Sequence, residues 1–175
     1  CHELTGPASL RLEELAEPRP GPGQVRIGVR ACGVNFADSL ITRGQYQKQP
    51  QLPFSPGFEV SGEVLELAAG VEGVARGDRV LAMTPCGGYA EQVVADANRC
   101  LQIPAEMSWE HAAAFPVVFG TSHIALWRRA RLQSGETLVV HGASGGVGLT
   151  AVAIGKRLGA TVIATASSPE KLALA

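Results

Sequence analysis

The sequence predicts an α/β protein in two parts, a β-rich domain followed by the beginning of a doubly wound parallel sheet. Three observations carry that reading. Residues 1 to about 108 hold short apolar runs punctuated by Gly and Pro, the pattern of a small barrel-like β domain. The stretch Leu138-Val139-Val140-His141-Gly142-Ala143-Ser144-Gly145-Gly146-Val147-Gly148 then runs from a β-branched segment through a glycine-rich turn into a helix former at residues 149–158. A second apolar run at residues 160–165 follows one helix length later and completes a β-α-β unit.

Along the first part, residues 10–15 and Gln24–Cys32 alternate apolar and polar side chains and read as strands, with Pro18-Arg19-Pro20-Gly21-Pro22-Gly23 as the stiff turn between them. Residues 57–69 form another β-type run, and Arg79–Met83 another after the turn signal Arg76-Gly77-Asp78. Residues 88–94 and 99–103 end the series, which Pro104 closes. The character changes at Ser108, where Ser108-Trp109-Glu110-His111 reads as a capped helix start that continues to Pro116. Residues 121–132 read as a second helix, with Ile124, Leu126 and Trp127 toward a core and Arg128, Arg129 and Arg131 toward water or the C-terminal dipole. The expected division is 1–118 and 119–175. A doubly wound fold uses about six strands, whereas two are present, and the last helix, at 169–175, stops after two turns. The chain is therefore expected to be cut in mid-domain. Its start, Cys1-His2-Glu3-Leu4, has no initiator Met and no signal sequence, so residues are expected upstream as well.

Composition narrows the function classes. The chain has 175 residues, 46% of them hydrophobic, and a net charge of −1 with no run of Lys or Arg. That balance offers no footprint for nucleic acid or an anionic membrane, and no apolar stretch is long enough to span a bilayer. Cys1, Cys32, Cys86 and Cys100 lie far apart without a C-x-x-C pair, which argues against a structural zinc. Spacing leaves disulfides open, but a nucleotide site and few cysteines favour free thiols and a reducing compartment, cytoplasmic or else mitochondrial.

A glycine fingerprint between a strand and a helix is the context of a bound dinucleotide, because small residues admit the pyrophosphate and the helix N-terminus presents free N–H groups. Ala143 replaces the first glycine of the usual pattern, and the binding loop is read as Ala143, Ser144, Gly145, Gly146, Val147 and Gly148. NAD-binding units place an acid about 20 residues beyond the glycines. Here Ser167 and Ser168 stand instead, followed by Pro169, Glu170 and Lys171. The serines have room for a 2′-phosphate and Lys171 can balance its charge, so the expected cofactor is NADPH. The alternatives are a tight structural turn for the loop and an ordinary solvated helix lysine for Lys171.

Several segments in order carry a more specific signal: Ala31-Cys32-Gly33-Val34-Asn35-Phe36-Ala37-Asp38, Arg43-Gly44-Gln45-Tyr46, Leu52-Pro53-Phe54-Ser55-Pro56-Gly57-Phe58-Glu59, Gly77-Asp78-Arg79-Val80 and Gly120-Thr121 with the glycine loop. Over nearly its whole length the chain resembles the zinc-independent quinone oxidoreductase branch of the medium-chain dehydrogenase/reductase superfamily. The resemblance implies a GroES-like substrate domain followed by a Rossmann NADPH-binding domain, with the nicotinamide in the cleft between them. It implies hydride transfer to a quinone or an α,β-unsaturated carbonyl compound, and a homodimeric full-length protein. Zinc-dependent relatives carry a Cys ligand where Asn35 stands and a Gly-His-Glu where Gly57-Phe58-Glu59 stands. Neither Asn35 nor Phe58 can replace those ligands, so no catalytic metal is expected.

Polarisation of the acceptor then falls to hydrogen-bond donors. By resemblance, Tyr46 donates to the developing oxyanion, Asn35 orients the nicotinamide or a water, and the Thr121 hydroxyl reaches the cofactor. The bland alternatives are a loop aromatic covering the β domain, a turn residue bonding its own backbone and a helix N-cap. Glu59 is expected to pair a backbone group or a buried cation, and His141 to pack beside the cofactor. Two other functions stay open: an enoyl-thioester reductase, and a non-catalytic NADPH-binding protein of crystallin-like or RNA-binding type.

Overall fold

Alternation of buried and outward side chains turns the β-type runs into an antiparallel sheet. β1 (Gln24–Cys32) buries Val25 and Ile27, while Arg26 between them turns outward to Glu17 at 2.6 Å and Glu66 at 2.9 Å. β2 (Glu59–Leu67) pairs with β1 in the register Val25↔Leu67 to Cys32↔Val60, broken by two irregularities. β3 (Arg79–Met83), β4 (Gln92–Asp96) and β5 (Cys100–Gln102) complete a five-stranded sheet ordered β4-β1-β2-β3-β5. The computed structural model describes residues 1–175 and divides into two units, Cys1–Pro116 and Val117–Ala175.

The core of the first unit is Val25, Ile27, Val60, Val64, Val80 and Ala82, all fully buried, with Val93, Ala95 and Cys100 beside them. Each buried Val or Ile side chain stabilises the fold by roughly 1.5–3 kcal/mol relative to exposure. α1 (Phe36–Ile41) interrupts the β pattern, an element that sequence periodicity does not mark. α2 (Trp109–Ala113) starts as expected, with Ser108 Oγ accepting the His111 N–H at 3.2 Å. Arg79 ties it to the sheet: the guanidinium lies 4.2 Å from the Trp109 ring centre and donates to the Met107 carbonyl at 2.7 Å.

Three expectations need correction. Residues 10–15 form no strand, and Leu12 and Leu15 are exposed. Both edges of β1 are already taken, by β2 and β4, so this segment has no ladder to join there. The strand expected at 88–94 begins only at Gln92, because residues 87–89 bond across to residues 55–57 instead. The helix expected at 121–132 starts at Pro116, as α3 (Pro116–His123). Proline fits a first helical turn, where its missing N–H would have had no partner.

α3 runs into a π-helical turn at Ile124–Arg129, marked by the Ala130 N–H bonding the Ala125 carbonyl at 2.8 Å. The wider turn rotates the face, so Leu126 is buried while Ile124 and Trp127 are more than half exposed. The rest of the second unit is the expected β-α-β. β6 (Thr137–Val140) and β7 (Thr161–Ala164) pair in parallel, joined by α4 (Gly146–Arg157), and α5 (Pro169–Leu174) follows.

Candidate functional site

The glycine loop lies between the end of β6 and the start of α4. Gly142 adopts φ +63°, Gly145 N–H closes on the Gly142 carbonyl at 3.0 Å, and α4 begins at Gly146, three residues before its apolar run. A Cβ on Gly148 would lie 2.7 Å from Ala143 Cα, so only glycine lets the helix come this close to the loop. Ala143 is fully buried and fixed by its N–H to the Thr165 carbonyl at 2.9 Å. Its methyl therefore occupies packing space in the core, which explains how alanine substitutes for the first glycine. His141, exposed, meets Thr165 Oγ1 through Nδ1 at 2.9 Å, so Thr165 clamps the loop from two sides.

The start of α4 is open to an anion. α2 and α5 have serine side chains over their first turns. α4 has a glycine cap without a side-chain acceptor and no acid in its first turn, and Gly145, Gly146 and Val147 are exposed. A 12-residue helix presenting bare N–H groups and its positive dipole end fits the pyrophosphate of a dinucleotide. Ser144 is half-buried behind this opening.

Beyond β7, Lys171 Nζ donates to Ser167 Oγ at 3.1 Å, so these two residues form one exposed polar pair. Ser168 behaves differently. Its hydroxyl caps α5, accepting the Lys171 N–H at 3.4 Å, and its nearness holds the Glu170 carboxyl below its ordinary range. Ser168 is thus committed to its own helix, while Ser167 and Lys171 stay available to a ligand.

Thr121 lies on the exposed side of α3, in the interior of that helix, so it is not an N-cap. Its neighbour Ser122, which no sequence motif singles out, does the structural work. Buried Ser122 Oγ bonds the Val147 carbonyl at 2.8 Å and Thr150 Oγ1 at 2.7 Å, and Thr150 Oγ1 also reaches the Val118 carbonyl at 3.0 Å. This network fastens the first turn of α4, the one that bears the loop glycines, to α3.

In the β unit, Asn35 precedes α1 and its Nδ2 donates to Glu59 Oε1 at 2.8 Å. Glu59 is buried, and this neutral amide on its carboxylate is a kind of partner that the sequence reading, with its backbone group or cation, does not include. Asp38, also buried, accepts the Asn35 N–H at 2.8 Å and the Gly57 N–H at 3.0 Å. Gly57 holds φ +99°, and a Cβ there would lie 2.7 Å from Gly88 Cα. The loop at residues 87–89 is zipped to this turn by Gly87 N–H to the Ser55 carbonyl, Tyr89 N–H to the Pro56 carbonyl and Ser55 Oγ to the Tyr89 carbonyl. Burial, together with the Asp38 carboxylate nearby, pushes the Tyr89 phenol above its ordinary range. Asp38 and Tyr89 are site residues that periodicity misses, although the Asn-x-x-Asp spacing is a readable cap signal.

Tyr46 packs on Phe58, with ring centres 5.3 Å apart at 49°. Asn35 and Tyr46 thereby contact adjacent residues of one segment, Glu59 and Phe58. Burial pushes the Cys32 thiol up to about 12, with Asp38 and Glu59 adding to the effect, and burial raises Cys86 as well. Cys100 is pushed to about 11 by burial and Asp96. All four cysteines are free thiols, and these three are poor nucleophiles near neutral pH. No group of three or more His, Cys, Asp and Glu side chains converges in a way that could hold a metal ion.

Residues 21–105 match the alcohol dehydrogenase GroES-like domain. The whole chain is 46% identical to rat quinone oxidoreductase-like protein 2, covering 50% of that protein. By this likeness the chain groups with the medium-chain dehydrogenase/reductase family. Within it, the similarity is to the quinone oxidoreductase branch. The human synaptic vesicle membrane protein VAT-1 homolog-like protein superposes with a TM-score of 0.95 at 37% identity, over 99% of this chain and 56% of that one. The quinone oxidoreductase from Thermus thermophilus, also solved as its complex with NADPH, gives 0.87 at 41% identity over 98% and 54%. The chain spans about half the length of the curated relatives it matches. The matched residues lie within the β unit, which is the unit that carries the GroES-like domain. In this family Asn35 and Phe58 stand where zinc-dependent members place Cys and His, which fits a zinc-independent member. No helix is long and apolar enough to cross a membrane.

Proposed function

We propose that the protein is a zinc-independent, NADPH-dependent reductase of quinones or α,β-unsaturated carbonyl compounds. The observation that carries this reading is the opening of α4, where an uncapped, acid-free helix start meets a loop of small residues. Ser144, Gly145, Gly146 and Val147 hold the pyrophosphate while buried Ala143 and Gly148 shape the loop behind them, and Ser167 with Lys171 holds the 2′-phosphate, Ser168 standing behind them as the cap of α5. Thr121 contributes its exposed hydroxyl to the cofactor. The cofactor, when bound, supplies hydride to the acceptor.

The remaining chemistry belongs to the β unit. Tyr46 donates its phenolic proton to the oxyanion that develops on the acceptor, and its ring is held for this by Phe58. Asn35, pinned by Glu59, orients the carboxamide end of the cofactor or a water. The full-length protein acts as a homodimer in a reducing compartment.

A titration of the purified protein with NADPH and NADH, followed by consumption of NADPH with 1,2-naphthoquinone and with an enoyl-thioester, tests the reading. A clamp of charge-assisted bonds is worth about 1.5–3 kcal/mol, or about ten- to a hundredfold in affinity. NADPH should therefore bind tighter by that factor, and Lys171→Ala should remove most of the difference. Equal dissociation constants would overturn the NADPH assignment. Thioester turnover without quinone turnover would move the protein to the enoyl-reductase class, and tight binding without any turnover would make it a binding protein.

A further inference from the structure

The proposed chemistry uses Asn35 and Phe58, and one buried carboxylate it does not use connects the two. Asp38 is 5% exposed, and a carboxylate removed from water to that degree needs several donors. It has two, from two different segments: the Asn35 N–H at 2.8 Å on Oδ2 and the Gly57 N–H at 3.0 Å on Oδ1. Capping α1 needs only the first of these bonds. The second reaches the turn that presents Phe58, and the loop at residues 87–89 closes over that turn. The Asn35 side chain in turn holds Glu59, the next residue along. The arrangement is more elaborate than a six-residue helix requires for its own start.

We propose that Asp38 is the positioning residue of this site, fixing Asn35 and the Gly57-Phe58 turn at one separation. The proposal rests on the functional reading given above. Asp38 acts through Asn35 and Phe58 and need touch neither cofactor nor acceptor.

Asp38→Asn keeps the size and shape of the side chain, so the variant should fold, but its amide oxygen can serve only one of the two N–H donors; Asp38→Ala removes both bonds and is the more severe change. Misplacing a site group by a fraction of an ångström costs rate more than affinity, so Asp38→Asn should lower kcat about tenfold with the KM for NADPH within about twofold. Asp38→Ala should lower kcat further. Independently of turnover, the Asn35 side-chain amide protons, followed by NMR without cofactor, should exchange about tenfold faster in Asp38→Asn, as the hold on their position is lost. Wild-type kcat together with wild-type Asn35 exchange in Asp38→Asn would overturn the proposal. If the wild-type protein reduces no acceptor, the functional reading fails by itself, and the exchange rates still decide whether Asp38 sets the position of Asn35.

Discussion

The two units solve the problem of burial differently. In the β unit five strands share one interior, and Val25, Ile27, Val60, Val64 and Val80 are all fully buried. In the α/β unit a single helix covers one side of two strands. Val140 and Val152 meet there, and Gly155 lets α4 settle on Leu138, where a Cβ would come within 2.6 Å of Leu138 Cδ2. On the opposite side of those strands Val139 and Ile163 each stay 49% exposed. The contrast teaches where each function is placed. The unit with the closed core carries buried carboxylates at its site, which only a rigid interior can keep satisfied. The unit with the thinner core carries the bare helix start, which depends on backbone geometry more than on burial.

The sharpest way to break this comparison is to empty one core at a time. Ile27→Ala, in the closed interior, should cost about 2–5 kcal/mol of stability. Val152→Ala removes less volume at a site with fewer apolar neighbours and should cost about half as much. Chemical denaturation of the two variants against wild type measures both. Equal losses would mean that the α/β unit is as tightly packed as the β unit, against the burial pattern.

A second change attacks the loop and spares both cores. Gly148→Ala puts a methyl against backbone atoms of Gly142 and Ala143, which cannot rotate away as a side chain would. The start of α4 must then move off the loop. NADPH affinity, by titration, should fall at least tenfold, or about 1.4 kcal/mol. An unchanged dissociation constant would show that the pyrophosphate does not bind at this helix start.

How much of this is legible in the sequence follows the same division. The β-α-β order, the parallel pair and the glycine loop can be read because period and spacing are local properties. Ser108 can be read as a cap for the same reason, and so can Gln24–Cys32 and Arg79–Met83 as strands. Residues 10–15 mislead, since alternation says nothing about whether a strand edge is free to pair. The start of α3 at Pro116 is hidden because proline reads as a stop, although it serves equally as a first residue. Ala143, Gly145 and Gly148 are visible as a motif, but the burial of the Ala143 methyl is not. Asp38, Tyr89 and Ser122 escape because their partners lie 19 or more residues away, at Gly57, Ser55 and Val147. Such bonds have no period.

Ser122 provides the smallest and most discriminating change. Its hydroxyl bonds the Val147 carbonyl at 2.8 Å and Thr150 Oγ1 at 2.7 Å inside the α/β unit. In Ser122→Ala the Thr150 hydroxyl keeps its carbonyl partners at Val118, Gly146 and Val147, so the main loss is one buried bond. That should cost about 1 kcal/mol of stability. If the network also holds the first turn of α4 in the position a dinucleotide requires, NADPH affinity should fall by a few-fold in the same variant. Melting and titration of one sample separate the two contributions. A stability loss with unchanged affinity would mean that Ser122 only fastens α3 to α4. A loss of both would mean that the loop glycines depend on a buried serine one residue beyond the threonine that the sequence points to.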